Sequence, residues 1–432
     1  MADGAPDLLF STRDLLIGTA TAALQIEGGD RNNNWYDWAQ LPGTIADGST
    51  PLRATDHWNR WREDTELMAQ LGLQTYRLSV EWSRIEPRPG EIDTAALDRY
   101  RQELSAIREA GIVPLVSLHH FSHPSWFQGL GGWTSPHAPD LFLRLTETVV
   151  EALGDLVTDW VTINEPNVYA VQAHLFGDGP PGDRNWGSVR ATLRQMAIAH
   201  CRAYHRIHEL QPEAKVGFAH HARVFAPLDG RNPLHRAAST LDRALFQDLL
   251  ADAMLGGRFP RLLGRQPVDV TPGPHYDYVG LNYYSRSAVR GLDDGTFPGA
   301  SVNDLGWEVH PAGLVEVARD LYRRYPAPIW VTENGTADAA DAFRARFVHE
   351  HLAAMVASGL PFERYYHWCF VDNWEWSDGE EPRFGIVALD YETQERTVRD
   401  SGRFLAAVIC DGGVSRASYE EFVAHQTYPV GP

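Results

Sequence analysis

Cysteine is scarce, long apolar runs are missing and positive charge is in deficit, and each shortage removes a class of function. Only Cys201, Cys369 and Cys410 occur in 432 residues. An odd, widely spaced set is no disulfide framework and fits a reducing compartment. No stretch reaches the roughly 18–20 apolar residues that a membrane helix requires. Met1 to Thr12 lacks the basic start and apolar run of a secretory leader. The expected location is therefore the cytoplasm, with no membrane partner. Acidic residues outnumber basic ones, 57 against 38, for a formal charge of −19. That balance argues against nucleic acid as a partner, because phosphate contacts need basic patches. Low-complexity linkers, short repeats and charge blocks are absent as well, so residues 1–432 read as one domain.

Tryptophan is abundant, with 14 residues. Indoles pack cores, and they also offer flat platforms to the apolar faces of sugar rings. Short apolar, β-rich runs alternate with longer amphipathic stretches along the chain, the pattern of βα units on a parallel sheet. Eight strands are expected: Leu15–Ile26, Thr75–Glu81, Val113–His120, Trp160–Asn164, Lys215–His220, Tyr276–Tyr283, Pro328–Glu333 and Arg364–Asp372. Apolar residues at three- and four-residue spacing predict helices over His57–Leu71, Thr94–Ala110, Pro139–Leu156, Val189–Leu210, Ala312–Tyr325 and Ala342–Ser358. No Gly-x-Gly-x-x-Gly turn follows the first strand, which removes the usual nucleotide signature of an open sheet. Polar and aromatic residues gather at the C-terminal ends of nearly all the strands. A single (β/α)8 TIM barrel brings those ends to one mouth.

The strand ends supply Gln25, Arg77, His120, Asn164 with Glu165, Asn282 with Tyr284, Glu333 with Asn334, and Glu375 with Trp376. Glu165 and Glu333 both follow apolar strands, the fourth and the seventh, so they can face each other across the mouth. Paired carboxylates are the equipment of glycoside hydrolysis: one protonates the leaving oxygen, and the other attacks the anomeric carbon or activates water. His119 and His120 alone suggest a metal, but the other strand ends offer amides, aromatics and glutamates rather than further ligands. No metal is expected.

Thr162-Ile-Asn-Glu-Pro166 and Thr332-Glu-Asn-Gly335 resemble glycoside hydrolase family 1, the β-glucosidase and β-galactosidase family. The resemblance extends to Gln25–Gly28, Tyr76–Ile85, Gly280–Tyr284, Gly306–Pro311, Asp372–Trp376 and Arg383–Ile386, in order and nearly end to end. It implies net retention, no cofactor and a small-molecule β-glycoside or oligosaccharide substrate, most simply a β-glucoside, with β-galactosides and β-fucosides as side substrates; the alternatives are a transglycosylating β-glycosidase of the same fold or a non-catalytic sugar-binding barrel. By position, Glu165 is the acid/base and Glu333 the nucleophile. Arg77, Tyr284 and Asn282 accompany them. Gln25, His120, Asn164, Trp368, Glu375 and Trp376 would hold the sugar, with Phe121 and Trp307 at its edges. Glu165 should then have a raised pKa and Glu333 should be ionised. The peptide after Trp368 should be cis.

Three departures stand out. Phe121 follows His120 where Trp is usual, and Trp374 replaces the usual Phe. Glu380 and Glu381 occupy a stretch that commonly carries Gly-Tyr. These acidic residues are expected at the rim of the sugar site, where they argue against a 6-phospho-sugar. The short segment from Gly335 to Phe347 implies an open aglycone entrance.

Overall fold

The computed structural model describes residues 6–291 and 293–431. Eight parallel strands close into a barrel: β1 (Leu16–Ala20), β2 (Thr75–Ser79), β3 (Val113–His119), β4 (Asp159–Asn164), β5 (Lys215–His221), β6 (Val279–Asn282), β7 (Ile329–Asn334) and β8 (Phe362–Trp368). β8 pairs with β1 and completes the ring. The (β/α)8 expectation is met.

The strands are buried on both faces, as in a parallel barrel covered by helices. On β4, Trp160 and Ile163 pack outward among the helices, while Val161 joins the barrel interior. On β7, Ile329 and Val331 face outward and Trp330 faces inward. The lower interior is plugged. Trp330 stacks on Tyr278 with ring centroids 3.7 Å apart. The Arg364 guanidinium covers the Trp330 ring at 3.6 Å and pairs with Asp159 at 2.7 Å.

The predicted helices form within a few residues of their expected bounds, for example Thr94–Glu109 and Trp186–Leu210. One buried knot ties two of them together. His57 opens the helix His57–Gln70, with Nδ1 2.7 Å from Asp64 and Nε2 2.7 Å from Glu103 of the next helix.

Among the described residues the first, sixth and last strands are shorter than expected, the sixth spanning only Val279–Asn282 of Tyr276–Tyr283. The first ends at Ala20, and Ala23–Glu27 forms a short helix. Ala, Leu, Gln and Glu there are helix formers, and the Ala23 N–H is taken by Ser79 Oγ at 2.7 Å. Gln25 is therefore a helix residue above the barrel, not a strand end. The last strand stops at Trp368, so Glu375 and Trp376 lie in the following loop and 3₁₀ turn. Three small sheets were not anticipated, among them Val224–Pro227 beside Arg286–Arg290.

Candidate active site

The β4–β5 and β6–β7 ladders slip in register near the barrel top, around Asn164 and Glu333. Such irregularities re-aim side chains. Glu165 continues the departure: its backbone is left-handed at φ 42°, and it caps the helix Pro166–Val171. A non-glycine residue held there is strained, and the surrounding structure must sustain it. Past β7, a Cβ on Gly335 would lie 1.9 Å from the Trp368 carbonyl oxygen, so only glycine lets this exit cross β8. The Trp368–Cys369 peptide is cis.

Both carboxyl groups are buried. Glu333 Oε1 lies 2.5 Å from Arg77 Nη1, and its Oε2 accepts from the Tyr284 hydroxyl at 2.6 Å. Arg77 is fully buried and also donates from Nη2 to Asn164 Oδ1 at 2.7 Å and from Nε to Ser117 Oγ at 3.0 Å. Asn282 Nδ2 donates to Asn164 Oδ1 at 3.1 Å and to Glu165 Oε1 at 2.8 Å. Its own Oδ1 accepts from Thr332 Oγ1 at 2.6 Å. One continuous network thus runs from Glu333 through Arg77, Asn164 and Asn282 to Glu165. His120 Nε2 accepts from Asn164 Nδ2 at 3.1 Å.

A second group forms beside it. Glu375 Oε1 accepts from Trp368 Nε1 and Oε2 from Gln25 Nε2, both at 3.2 Å. Gln25 is braced by Asn373 Oδ1 and the Trp374 carbonyl. The His120 ring stacks near Trp368 and Trp376, and Phe121 packs against Trp376 at 5.1 Å. Trp307 is 40% exposed at the edge, between Tyr284 and Phe384. Among the described residues, Gln25 Oε1 and His120 Nδ1 are buried without partners. Hydroxyl groups of a bound sugar can supply the missing bonds.

The two carboxyl groups are pushed in opposite directions. Burial raises the Glu165 pKa, but His221, Asn282 and Arg77 outweigh it and bring it below the usual carboxylate value. Burial pushes Glu333 up to about 7; Arg77 and Tyr284 oppose this, and the Glu165 charge adds to it. Two such close carboxylates titrate as a pair that shares one proton. Glu375 is pushed up to about 8, chiefly by burial.

Sequence reasoning missed His221, whose Nδ1 lies 2.8 Å from Glu165 Oε1. β5 was the one barrel strand whose end had no candidate, although His220 and His221 stand there as a pair. The acidic stretch has partners of its own. Glu380 pairs with Arg53 at 2.8 Å, and its N–H is held by Asp47. Asp378 is the member of that stretch that acts on the Glu375 carboxyl. His119 Nε2 accepts from Trp133 Nε1 at 3.0 Å, a wall contact. Among the described residues, no cluster of His, Cys, Asp and Glu side chains is arranged to hold a metal, and no helix is long and apolar enough to cross a membrane.

The sequence pattern of glycosyl hydrolase family 1 matches residues 10–414. The chain belongs to glycosyl hydrolase family 1. Similar members of the family include β-glucosidase A of Thermotoga maritima, 31% identical over 92% of this chain and 97% of that protein. A β-glucosidase of Agrobacterium sp. is 32% identical over 91% of this chain and 94% of its own length. Among solved structures, the Thermotoga maritima β-glucosidase in complex with glucoimidazole aligns with a TM-score of 0.86. It is 30% identical and covers 94% of this chain and 99% of that one. This family 1 barrel is a glycoside hydrolase, and the Glu165–Glu333 pair lies within the matched region.

Proposed function

We propose that this family 1 enzyme is a retaining β-glucosidase with side activity on β-galactosides and β-fucosides. It would act in the cytoplasm as one barrel domain and remove the terminal sugar. The observation that carries the reading is the pair of buried carboxylates with separate donor sets on one hydrogen-bonded network.

The chemistry follows from those donors. As positive charge develops at the anomeric carbon, it favours the Glu333 carboxylate, already braced by Arg77 and Tyr284. The proton shared by the pair therefore moves to Glu165, which delivers it to the departing oxygen. Glu333 forms a covalent glycosyl ester and loses its charge. Glu165, now a carboxylate that no longer faces a second negative charge, removes a proton from water, which attacks the ester carbon. Asn164 holds the 2-hydroxyl, a bond that strengthens in the transition state. Gln25, His120 and Glu375 take the other hydroxyls, with Trp368, Trp376 and Phe121 as the apolar wall and Trp307 beside the aglycone. Sequence similarity to named β-glucosidases supports the glucoside preference.

A panel of aryl β-glycosides, with the first-formed anomer read by proton NMR, tests the proposal. Expected are the β-glucoside as the fastest substrate and the β-anomer as the initial product. Initial α-product overturns the retaining mechanism, and a faster galactoside or fucoside overturns the donor assignment. Glu165→Ala should slow cellobiose far more than a substrate with a good leaving group.

A further inference from the structure

His221 ends β5, is buried, and touches Glu165 directly. Its ring is held on every side. It stacks on Tyr284 with centroids 5.9 Å apart at 16°, and Phe246 meets it edge-on at 5.8 Å. Its backbone carbonyl accepts from Asn167 Nδ2 at 2.9 Å. On the far side of the ring, Arg223 Nη2 lies 3.4 Å from Nε2. Arg223 is itself fixed. Its backbone N–H reaches Gln247 Oε1 at 3.1 Å, and its Nη1 reaches Ser287 Oγ at 3.3 Å. Its guanidinium lies 5.5 Å from the Phe246 ring.

These contacts determine where the hydrogens are. A guanidinium can only donate. Nε2 of His221 must therefore accept, the ring hydrogen sits on Nδ1, and Nδ1 donates to Glu165 Oε1. Asn282 Nδ2 donates to the same oxygen at 2.8 Å. With two N–H groups aimed at it, Oε1 cannot also carry a proton without losing one of those bonds. Among the described residues, Oε2 receives no such donor.

We propose that His221 is a positioning residue for the acid/base carboxyl: locked by Arg223 in the Nδ1–H form, it occupies Oε1 together with Asn282 and confines the transferable proton to Oε2. This rests on the assignment of Glu165 as acid/base. The same donation stabilises the carboxylate, so it weakens the acid of the first half-reaction and readies the base of the second. The charged and titratable groups around the ring are Glu165 and Tyr284 within the site, Arg223 behind it with Asp294 beyond at 3.9 Å, and the adjacent His220. Arg77 and Glu333 act on Glu165 from the other side.

The test is the pH dependence of kcat/KM for an aryl β-glucoside with a poor leaving group, measured on the wild type, His221→Phe, His221→Asn and Arg223→Met. Loss of one donor to a carboxylate raises its pKa. His221→Phe should therefore move the alkaline limb up by about one pH unit, equivalent to roughly tenfold more protonated Glu165 on that side. His221→Asn retains an N–H at the same branch and should leave the limb at the wild-type position. Arg223→Met frees the tautomer and should move the limb upward by less. It tests the idea even if His221→Phe fails to fold. Limbs unmoved in both His221→Phe and Arg223→Met overturn the role of His221 while the wild type still turns over. A wild type without turnover overturns the activity assignment instead.

Discussion

Arg77 donates from one nitrogen to Glu333 and from the other to Asn164, at 2.5 and 2.7 Å. One planar cation thereby sets both the proposed nucleophile and the residue proposed to hold the 2-hydroxyl. Lys cannot keep both bonds, because its ammonium is a single point rather than a fork. Arg77→Lys is expected to lower kcat/KM by roughly 10²- to 10³-fold. Arg77→Met should also lower stability by about 3–5 kcal/mol, since it strands a buried carboxylate. Steady-state kinetics and chemical denaturation measure the two effects separately.

Glu333→Gly removes the attacking oxygen and leaves space beside the anomeric carbon. Turnover is expected to fall by roughly 10⁴-fold or more. Azide or formate should restore part of it with an activated aryl glycoside, and azide should give the α-glycosyl product. Rescue that yields β-product instead would show that Glu333 is not the nucleophile.

The pair needs one proton to start the reaction. Its proton is held up to about 7 by burial and mutual repulsion. Above that value both carboxylates ionise and the acid is lost. The kcat/KM profile should therefore decline about tenfold per pH unit on the alkaline side of pH 7. A profile flat to pH 9 would contradict a shared proton.

His57 gives a second pH effect, on stability. Burial disfavours its charge, but Glu103 and Asp64 prevail and raise its pKa to about 9. A raised folded-state pKa contributes stability that is complete below the unfolded value near 6.5 and is lost as pH rises toward 9. The loss should total up to about 3 kcal/mol. Thermal unfolding between pH 6 and 9 should show a falling Tm that His57→Gln flattens.

Strand ends that follow β-branched apolar runs were legible in the sequence, because burial on both faces leaves one reading for Trp160–Asn164 and Ile329–Glu333. The run after Ala20 was not, because Ala, Leu and Gln suit helix and strand alike until Ser79 takes the Ala23 N–H. Glu165 and Glu333 announced themselves by position. The donor set on Glu165 did not, because it includes His221, fifty-six residues away in sequence and in contact only once β4 and β5 are paired. The partner of Glu380 was equally hidden, because Arg53 reaches it from a distant loop.

The stacked floor of Trp330, Tyr278 and Arg364 makes the barrel a cul-de-sac. Whatever enters from the top must leave by the same doorway. In the proposed mechanism the departing aglycone and the incoming water therefore pass in sequence, and an aglycone that lingers in the doorway is the first acceptor the glycosyl ester would meet. Crowding that entrance with alcohol or sugar turns a hydrolase toward transfer without altering a single catalytic atom.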